Sequence, residues 1–309
     1  MIVTSEALRS FFNSIKVIFN DGMKAESQWG KVATEVKSSS GSNVYAWLSK
    51  FPKMREWIGE RVLKSMKTSD YTLHNRKFEA TVDVDRADFE DDNLGIYKPI
   101  FEQMGQSAVE HIDENVFAAL ADGFTKVCFD GKPYFSAEHP LYPNVDGTGD
   151  AGAQSNCLNP TVTDKSPWFV IDASKPMKPV IYQNRSEAEL HAITDVNNDK
   201  VFMLDKYLFG SRARRAFGYS YPQLAVGCRD SLTAANFEAA VELLESQKTD
   251  GNRPLGIKAT TLVVPPNLKS AAKKIVDAQL LSNGASNINY KSVEIVVSPY
   301  LVATPEQGG

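Results

Sequence analysis

Long apolar runs are missing from this chain of 309 residues. A membrane-spanning helix needs about 18 or more predominantly apolar residues in succession, and no stretch of the sequence reaches that length. Residues 1–20 carry Glu6, Arg9 and Lys16 among their apolar side chains, which is unlike the apolar centre of a signal peptide. We therefore expect no membrane segment and no secretory leader.

An excess of positive charge is also missing. Lys and Arg together number 34 and Asp and Glu together number 38, so the formal net charge is −4. A dedicated nucleic-acid-binding protein normally carries a strongly basic face. The charge balance therefore argues against that class of protein.

Cysteine is scarce, and the three cysteines are scattered at positions 128, 157 and 228. Their spacing matches no metal-ligand pattern, so we expect reduced thiols in a protein made in a cytosol. The sequence also lacks a Walker loop, an HExxH motif and a CxxC motif. These absences leave no standard catalytic motif.

Hydrophobic residues make up 42% of the chain, which is enough for a sizeable core. The length predicts about two domains or one large elaborated domain. Residues 1–50 are only loosely periodic, and we interpret them as an arm that carries one short amphipathic helix. From residue 44 to residue 63 apolar side chains recur near helical spacing, with Pro52 in the first turn.

An extended segment with segregated charge follows. Residues 78–85 alternate apolar and polar side chains, which predicts a strand with one wet face, and residues 71–75 could supply its hairpin partner. Basic residues dominate positions 50–77 and acidic residues dominate positions 79–92. One interpretation is a solvated hairpin. The other is that the two strips bind copies of themselves on neighbouring subunits, and it selects Arg76, Lys77, Asp83 and Asp85 as contact residues.

The strongest predicted helix spans residues 99–121. Its apolar side chains stand at strict i+4 spacing, and Gly123 follows as a stop. The members of this stripe are Ile100, Met104, Ala108, Ile112, Val116 and Leu120. Such a stripe slants around the helix, so we expect this helix to contact more than one element.

The second half of the chain predicts mixed helices and strands. After a loop-rich region at 124–167, strand-like runs lie at 168–171, 179–182, 201–204 and 207–221. Thr233 is a candidate N-cap for a helix over 234–247. A strand at 259–264, a helix at 266–280 and a closing strand at 293–297 complete an α+β pattern.

Three motifs could carry chemistry. Residues 147–152 match GxGxxG, but prolines precede them and no helical period follows, so we predict a loop. Asp130, Glu138 and His139 could form a metal or acid/base cluster, but no second His or Cys has ligand spacing, so we predict a structural turn. Arg212, Arg214 and Arg215 could bind phosphates or a neighbouring subunit, and we favour the subunit. We predict no catalytic, cofactor-binding or metal site.

Several stretches, in the same order along the chain, resemble the major head subunit (major capsid protein) family of Mu-like phages and prophages. They include Phe-Glu-Ala-Thr-Val-Asp-Val-Asp at 78–85 and Cys-Phe-Asp-Gly at 128–131. The full set lies at 51–59, 71–92, 94–97, 123–140, 176–183, 253–257, 262–266 and 283–287. The resemblance covers about residues 44–301.

The resemblance implies the tailed-phage major capsid fold, which has an N-terminal arm, a two-stranded E-loop, a peripheral P domain built on a spine helix, and an axial A domain. The implied division is 1–50 for the arm, 51–67 for the first part of the P domain, 68–96 for the E-loop, 97–165 for the P domain with its spine helix and loop-rich region, 166–229 for strands shared between the P and A domains, and 230–309 for the A domain. Because the long strands precede the helix–strand–helix unit, we infer a permuted strand order.

The resemblance also implies a structural function: many copies assemble into an icosahedral head that encloses double-stranded DNA. The expected partners are other copies in hexamers and pentamers, a separate scaffold protein, a portal protein, a decoration protein and the packaged DNA, with no membrane. The expected location is the virion, after assembly in the bacterial host cytoplasm. Two alternatives stay open at this point: an encapsulin-like compartment shell, and a hydrolase centred on Asp130, Glu138 and His139.

Overall fold

The computed structural model describes residues 5–49, 71–91, 94–195, 197–281 and 283–301. The α-helices are α1 Ser5–Gly22, α2 Arg86–Glu90, α3 Lys98–Asp122, α4 Asp199–Leu204, α5 Ala234–Glu245 and α6 Lys269–Val276. The strands are β1 Ala33–Lys37, β2 Ser42–Val44, β3 Thr72–His74, β4 Arg76–Asp85, β5 His139–Leu141, β6 Gly152–Gln154, β7 Cys157–Leu158, β8 Trp168–Ile171, β9 Val180–Ile193, β10 Lys206–Tyr219, β11 Ala225–Cys228, β12 Lys248–Thr249, β13 Arg253–Pro254, β14 Thr261–Val264 and β15 Glu294–Val297. The mixture confirms the predicted α+β class. Most of the helical run predicted for residues 44–63 falls at 50–63, which lie outside the described residues.

A long four-stranded sheet forms one part of the molecule, with the strand order β1-β9-β10-β4. Strands β9 and β10 have 14 residues each and run antiparallel, so the sheet is about 46 Å long at about 3.3 Å per residue. The prediction that residues 71–75 pair with the strand at 78–85 is wrong. Strand β4 pairs with β10, and the short strand β3 pairs with β2. Ten residues of β10 offer β4 a continuous ladder and a buried apolar face, which three residues of β3 cannot.

A short helix joins β9 to β10, where the sequence predicted a strand at 201–204. Residues 199–204 instead form α4. Asn198 is its N-cap, because the Asn198 side chain accepts a hydrogen bond from the Lys200 backbone N–H at 3.0 Å. The helix ends at Asp205, which has a left-handed backbone with φ of 53°. Local capping therefore outweighs the β propensity of Val201 and Phe202.

A five-stranded sheet with the order β15-β14-β8-β11-β7 forms the second part. Strands β8, β11 and β14 are buried at every position, because α5 and α6 pack against one face and α3 packs against the other. Thr233 is the predicted N-cap of α5, and its hydroxyl accepts from the Asn236 N–H at 3.2 Å. Helix α6 is shorter than the predicted 266–280, since it follows a 3-10 turn at Pro266–Leu268 and ends at Val276.

Helix α3 confirms the predicted long helix and connects the two sheets. Its C-terminal half packs in the core of the five-stranded sheet through Val116 and Leu120, and its N-terminal half packs on α1 and the long sheet through Phe101 and Met104. The predicted stripe is wrong at its start, because Ile100 is exposed and Phe101 is buried in its place. None of the described helices is both long and apolar enough to span a membrane.

Candidate subunit-contact site

The structure brings together two charged segments that are far apart in the sequence. Strand β4 carries Arg76, Lys77, Asp83 and Asp85, and strand β10 carries the three arginines at 212, 214 and 215. The antiparallel register places Arg76 opposite Arg215 and Lys77 opposite Arg214. All seven predicted contact residues therefore lie on one pair of adjacent strands, a pairing that no pattern in the sequence predicted.

The end of this strand pair that carries Arg76 and Lys77 is strongly basic. Both side chains are exposed, and each faces an arginine across the ladder. Like charges directly opposite each other on neighbouring strands are destabilising. Arg214 is half-buried, and its Nε has no hydrogen-bond partner among the described residues. This end of the sheet therefore carries positive charge that the described part of the subunit does not neutralise.

The opposite end of the strand pair is neutralised within the subunit. Asp83 accepts a hydrogen bond from Lys206, which lowers the pKa of Asp83 and raises that of Lys206. The Asp85 carboxylate accepts from the Ala87 backbone N–H at 2.9 Å, at the start of α2. Arg86 lies 3.8 Å from the Asp205 carboxylate. The acidic side chains of β4 thus have internal roles.

Between the two ends, Arg212 is exposed and has acidic neighbours on both sides. The register places it opposite Glu79 on β4 and opposite Glu189 on β9. These three charges lie near the centre of the long sheet, where opposite charges across a ladder contribute modest stability.

Arg215 differs from the other predicted contact residues because it lies inside the subunit, with only 3% of its surface exposed. Its Nη1 donates to the Ala108 carbonyl oxygen of α3 at 3.0 Å and lies 3.4 Å from Nδ1 of His111. Burial lowers the pKa of Arg215, and burial together with the Arg215 charge lowers the pKa of His111 to about 4. Arg215 therefore links the long sheet to α3 and is not available at the subunit surface.

The predicted cluster of Asp130, Glu138 and His139 is only partly assembled. His139 Nδ1 lies 2.6 Å from the Asp130 carboxylate, and both side chains are buried. Glu138 instead is exposed and pairs with Lys132 at 2.8 Å. The predicted cluster did not include Cys128, whose thiol donates a hydrogen bond to Asp130 at 3.1 Å. The only signal for it was the two-residue spacing between Cys128 and Asp130, which is common in turns.

Electrostatics shift the pKa values of two members of this cluster, Asp130 and Cys128. Burial opposes ionisation of Asp130, but hydrogen bonds from His139, Lys132 and Cys128 outweigh it, so the pKa of Asp130 lies below its usual value. Burial raises the pKa of the Cys128 thiol, and the Asp130 carboxylate raises it further. Both side chains lie inside the subunit.

The GxGxxG string is a loop, as predicted. Gly147 and Gly149 have positive φ angles of 82° and 94°, and Gly152 begins the three-residue strand β6 rather than a helix. A dinucleotide site requires a helix N-terminus after the glycines, so this string does not form one.

Comparison with known proteins places the chain in a family. Residues 8–301 match the family model for the Mu-like prophage major head subunit gpT. The major capsid protein of Escherichia phage Mu is 42% identical over 305 residues, which cover 97% of this chain and 100% of the relative. The Mu-like prophage FluMu major head subunit of Haemophilus influenzae is 37% identical, with 97% and 99% covered.

Solved structures agree with the sequence relatives. A chain of the procapsid of bacteriophage JBD30 is 42% identical and has a TM-score of 0.87, over 97% of this chain and 100% of that one. A chain of the bacteriophage JBD30 capsid is 32% identical and has a TM-score of 0.78, over 98% and 100%. The fold is therefore that of a phage major capsid protein, and the chain belongs to the family of Mu-like prophage major head subunits.

Proposed function

We propose that copies of this major capsid protein assemble into a closed icosahedral head around double-stranded DNA, and that the basic end of the β4–β10 pair is one of their contact surfaces. The observation that carries the assembly function is the full-length relation, at 42% identity, to the major capsid protein of phage Mu. The relatives are phage and prophage head proteins rather than compartment shells. The structure gives no support to the alternative of a hydrolase centred on Asp130, Glu138 and His139, since Glu138 is exposed and paired with Lys132.

The surface proposal rests on unneutralised charge. Lys77 and Arg214 lie opposite each other on one face of the sheet end, Arg76 is exposed on the other face, and the described residues supply no ion pair for these three side chains. An acidic surface on a neighbouring copy would offset the repulsion between Lys77 and Arg214 on contact, and the chain carries four more acidic than basic residues. Arg215 is not part of this surface because it is buried. Asp83 and Asp85 mainly form hydrogen bonds within the subunit.

The division of the chain into capsid domains stays a proposal. Residues 1–50 would be the arm, 68–96 the E-loop, α3 the spine of the P domain and 230–309 the A domain. Because α1 packs on α3 through Ile15 and Phe19, part of the arm would act as a layer of the subunit core.

The further partners are proposals as well. A chain of the JBD30 capsid decorated with minor capsid protein trimers is 33% identical, with a TM-score of 0.75, which supports a decoration protein on this head. We also propose a scaffold protein, a portal protein and non-specific contact with DNA. Three free, buried cysteines support assembly in the reducing bacterial cytoplasm.

Assembly is tested by electron microscopy of the expressed full chain, alone and with scaffold protein from the same phage. We expect closed shells or tubes. A protein that stays a monodisperse single subunit under both conditions would contradict the assembly function.

The contact surface is tested by charge reversal. In Arg76→Glu/Lys77→Glu, each new carboxylate faces an arginine across the ladder, so the free energy of unfolding should stay equal or rise by about 0.5 kcal/mol. Assembly should nevertheless be lost. The matched control is Arg76→Gln/Lys77→Gln, which removes the charge without reversing it and should weaken assembly less. Normal shells from the reversed variant would exclude this surface as a contact while leaving the assembly function intact.

A further inference from the structure

A buried cluster of metal-ligating side chains lies in the loop-rich region that follows α3. The Cys128 thiol sulfur, a carboxylate oxygen of Asp130 and a ring nitrogen of His139 all lie within 4.8 Å of one another. Cys128 and His139 are each 3% exposed, and the Asp130 side chain is 7% exposed. Sulfur, nitrogen and oxygen donors at such separations form the set that Zn²⁺ prefers in proteins.

The backbone holds the donors in place independently of their side chains. Cys128 and Asp130 belong to one tight turn, in which the Cys128 N–H donates to the Lys132 carbonyl at 2.8 Å and the Gly131 N–H donates to the Cys128 carbonyl at 3.1 Å. Gly131 has a φ of 79°, which a residue with a side chain would adopt only under strain. His139 begins β5, which pairs with β6. The donors are therefore preorganised, as a metal site requires.

Hydrogen-bond acceptors face both ring nitrogens of His139. Nε2 of His139 lies 3.1 Å from the Tyr134 carbonyl oxygen and 3.2 Å from Oδ1 of Asn156, both of which can only accept, so the geometry fits a proton on Nε2. In a neutral ring Nδ1 then presents its lone pair to the Asp130 carboxylate at 2.6 Å. Two acceptors at this distance need a positive charge, either a second proton on the ring or a metal ion. A ligating histidine characteristically donates its other ring N–H to a backbone carbonyl or a carboxylate.

We propose that Cys128, Asp130 and His139 bind one divalent transition-metal ion, with Zn²⁺ as the natural occupant. The donors would be the Cys128 sulfur as thiolate, a carboxylate oxygen of Asp130, and Nδ1 of neutral His139. When the sulfur binds the ion, its proton passes to solvent, because only the thiolate is a ligand. The ion ties the turn at 128–132 to β5 and thereby fixes the loop that carries Tyr134 and Phe135 into the core.

Cobalt binding to the purified full chain tests this site, because Co²⁺ coordinated by a thiolate gives a sulfur-to-metal charge-transfer band in the near ultraviolet. We expect the band to saturate at one Co²⁺ per subunit and to disappear when Zn²⁺ is added in excess. Cys128→Ser should lack the band. The matched control is Cys157→Ser, which removes another buried free cysteine outside the cluster and should keep the band.

A second measurement does not depend on the folding of a variant. The metal content of the wild-type protein, purified and dialysed against Zn²⁺, should be one ion per subunit by elemental analysis, and removal by a chelator should lower its melting temperature. A wild-type protein with less than a tenth of an equivalent of zinc and no cobalt band would overturn the proposal. The cluster would then be a buried hydrogen-bonded pair of His139 and Asp130.

Discussion

A single buried side chain, that of Arg215, connects two elements of this subunit. His111 lies beside it. The arginine side chain reaches from the long sheet to the Ala108 carbonyl of α3, and His111 packs beside it against the ring of Phe78, with 4.2 Å between ring centroids. A protonated His111 would stand next to a buried cation. The contact therefore depends on a neutral histidine.

The low pKa of His111 predicts a loss of stability in acid. Its pKa falls from 6.5 to about 4 on folding, so the unfolded chain binds the proton more readily. The contribution of neutral His111 is thus complete above about pH 6.5 and declines as the pH falls toward 4. With allowance for partial exposure, we expect a loss of about 2 kcal/mol between pH 7 and pH 4.5.

The measurement is chemical denaturation of wild type and His111→Gln at both pH values. Other groups titrate equally in the two proteins, so the difference between their pH slopes isolates His111. The wild type should lose more stability in acid than the variant. Identical slopes would show that the imidazole binds protons equally in the folded and unfolded protein, which contradicts the lowered pKa.

At the scale of elements, α1 and α3 approach so closely that their backbones touch. A Cβ atom on Gly105 would lie 2.0 Å from the Phe19 carbonyl oxygen, and one on Gly22 would lie 2.1 Å from the Glu102 carbonyl oxygen. Two glycines, one on each helix, therefore set the distance at which α1 covers α3. Around them pack Ile15, Phe19, Phe101 and Met104, all buried.

Gly105→Ala should separate the two helices. The clash is with backbone, which cannot rotate away, so the cost should be that of overpacking, about 1–3 kcal/mol. The matched control is Gly95→Ala, because a Cβ atom at Gly95 meets nothing within 4 Å. Thermal unfolding of both variants compares them. Equal melting temperatures would mean that α1 does not pack against α3 in solution.

At the scale of the whole molecule, the chemistry of the β4 surface bears on how a shell is held together. A lysine–asparagine cross-link between subunits needs a lysine beside a carboxylate with a raised pKa. Lys77 is exposed, and so are the nearest carboxylates along the strand, Glu79 and Asp83. The pKa of Asp83 is moreover lowered by its hydrogen bond from Lys206. These groups are unsuited to catalysing a cross-link.

We therefore predict a shell held by non-covalent contacts. Assembled particles boiled in detergent should run on a denaturing gel as a single band near the subunit mass of 34.1 kDa. The matched control is unassembled subunit prepared in the same way, which should give the same band. A ladder of covalent multimers from particles alone would contradict the prediction.

Local patterns in the sequence determined the elements that depend on near neighbours. The i+4 apolar spacing produced α3, the hydroxyl of Thr233 begins α5, and the alternation at 78–85 produced β4, because backbone periodicity and capping act within one or two turns. The resemblance of many short stretches in order identified the capsid fold. The GxGxxG loop was also predictable, from the prolines before it.

Only the tertiary structure decided which elements meet. The pairing of β4 with β10 and the burial of Arg215 against α3 both depend on the approach of distant segments. Residue spacing does not encode these contacts, since they follow from the total apolar area that the chain can bury at once.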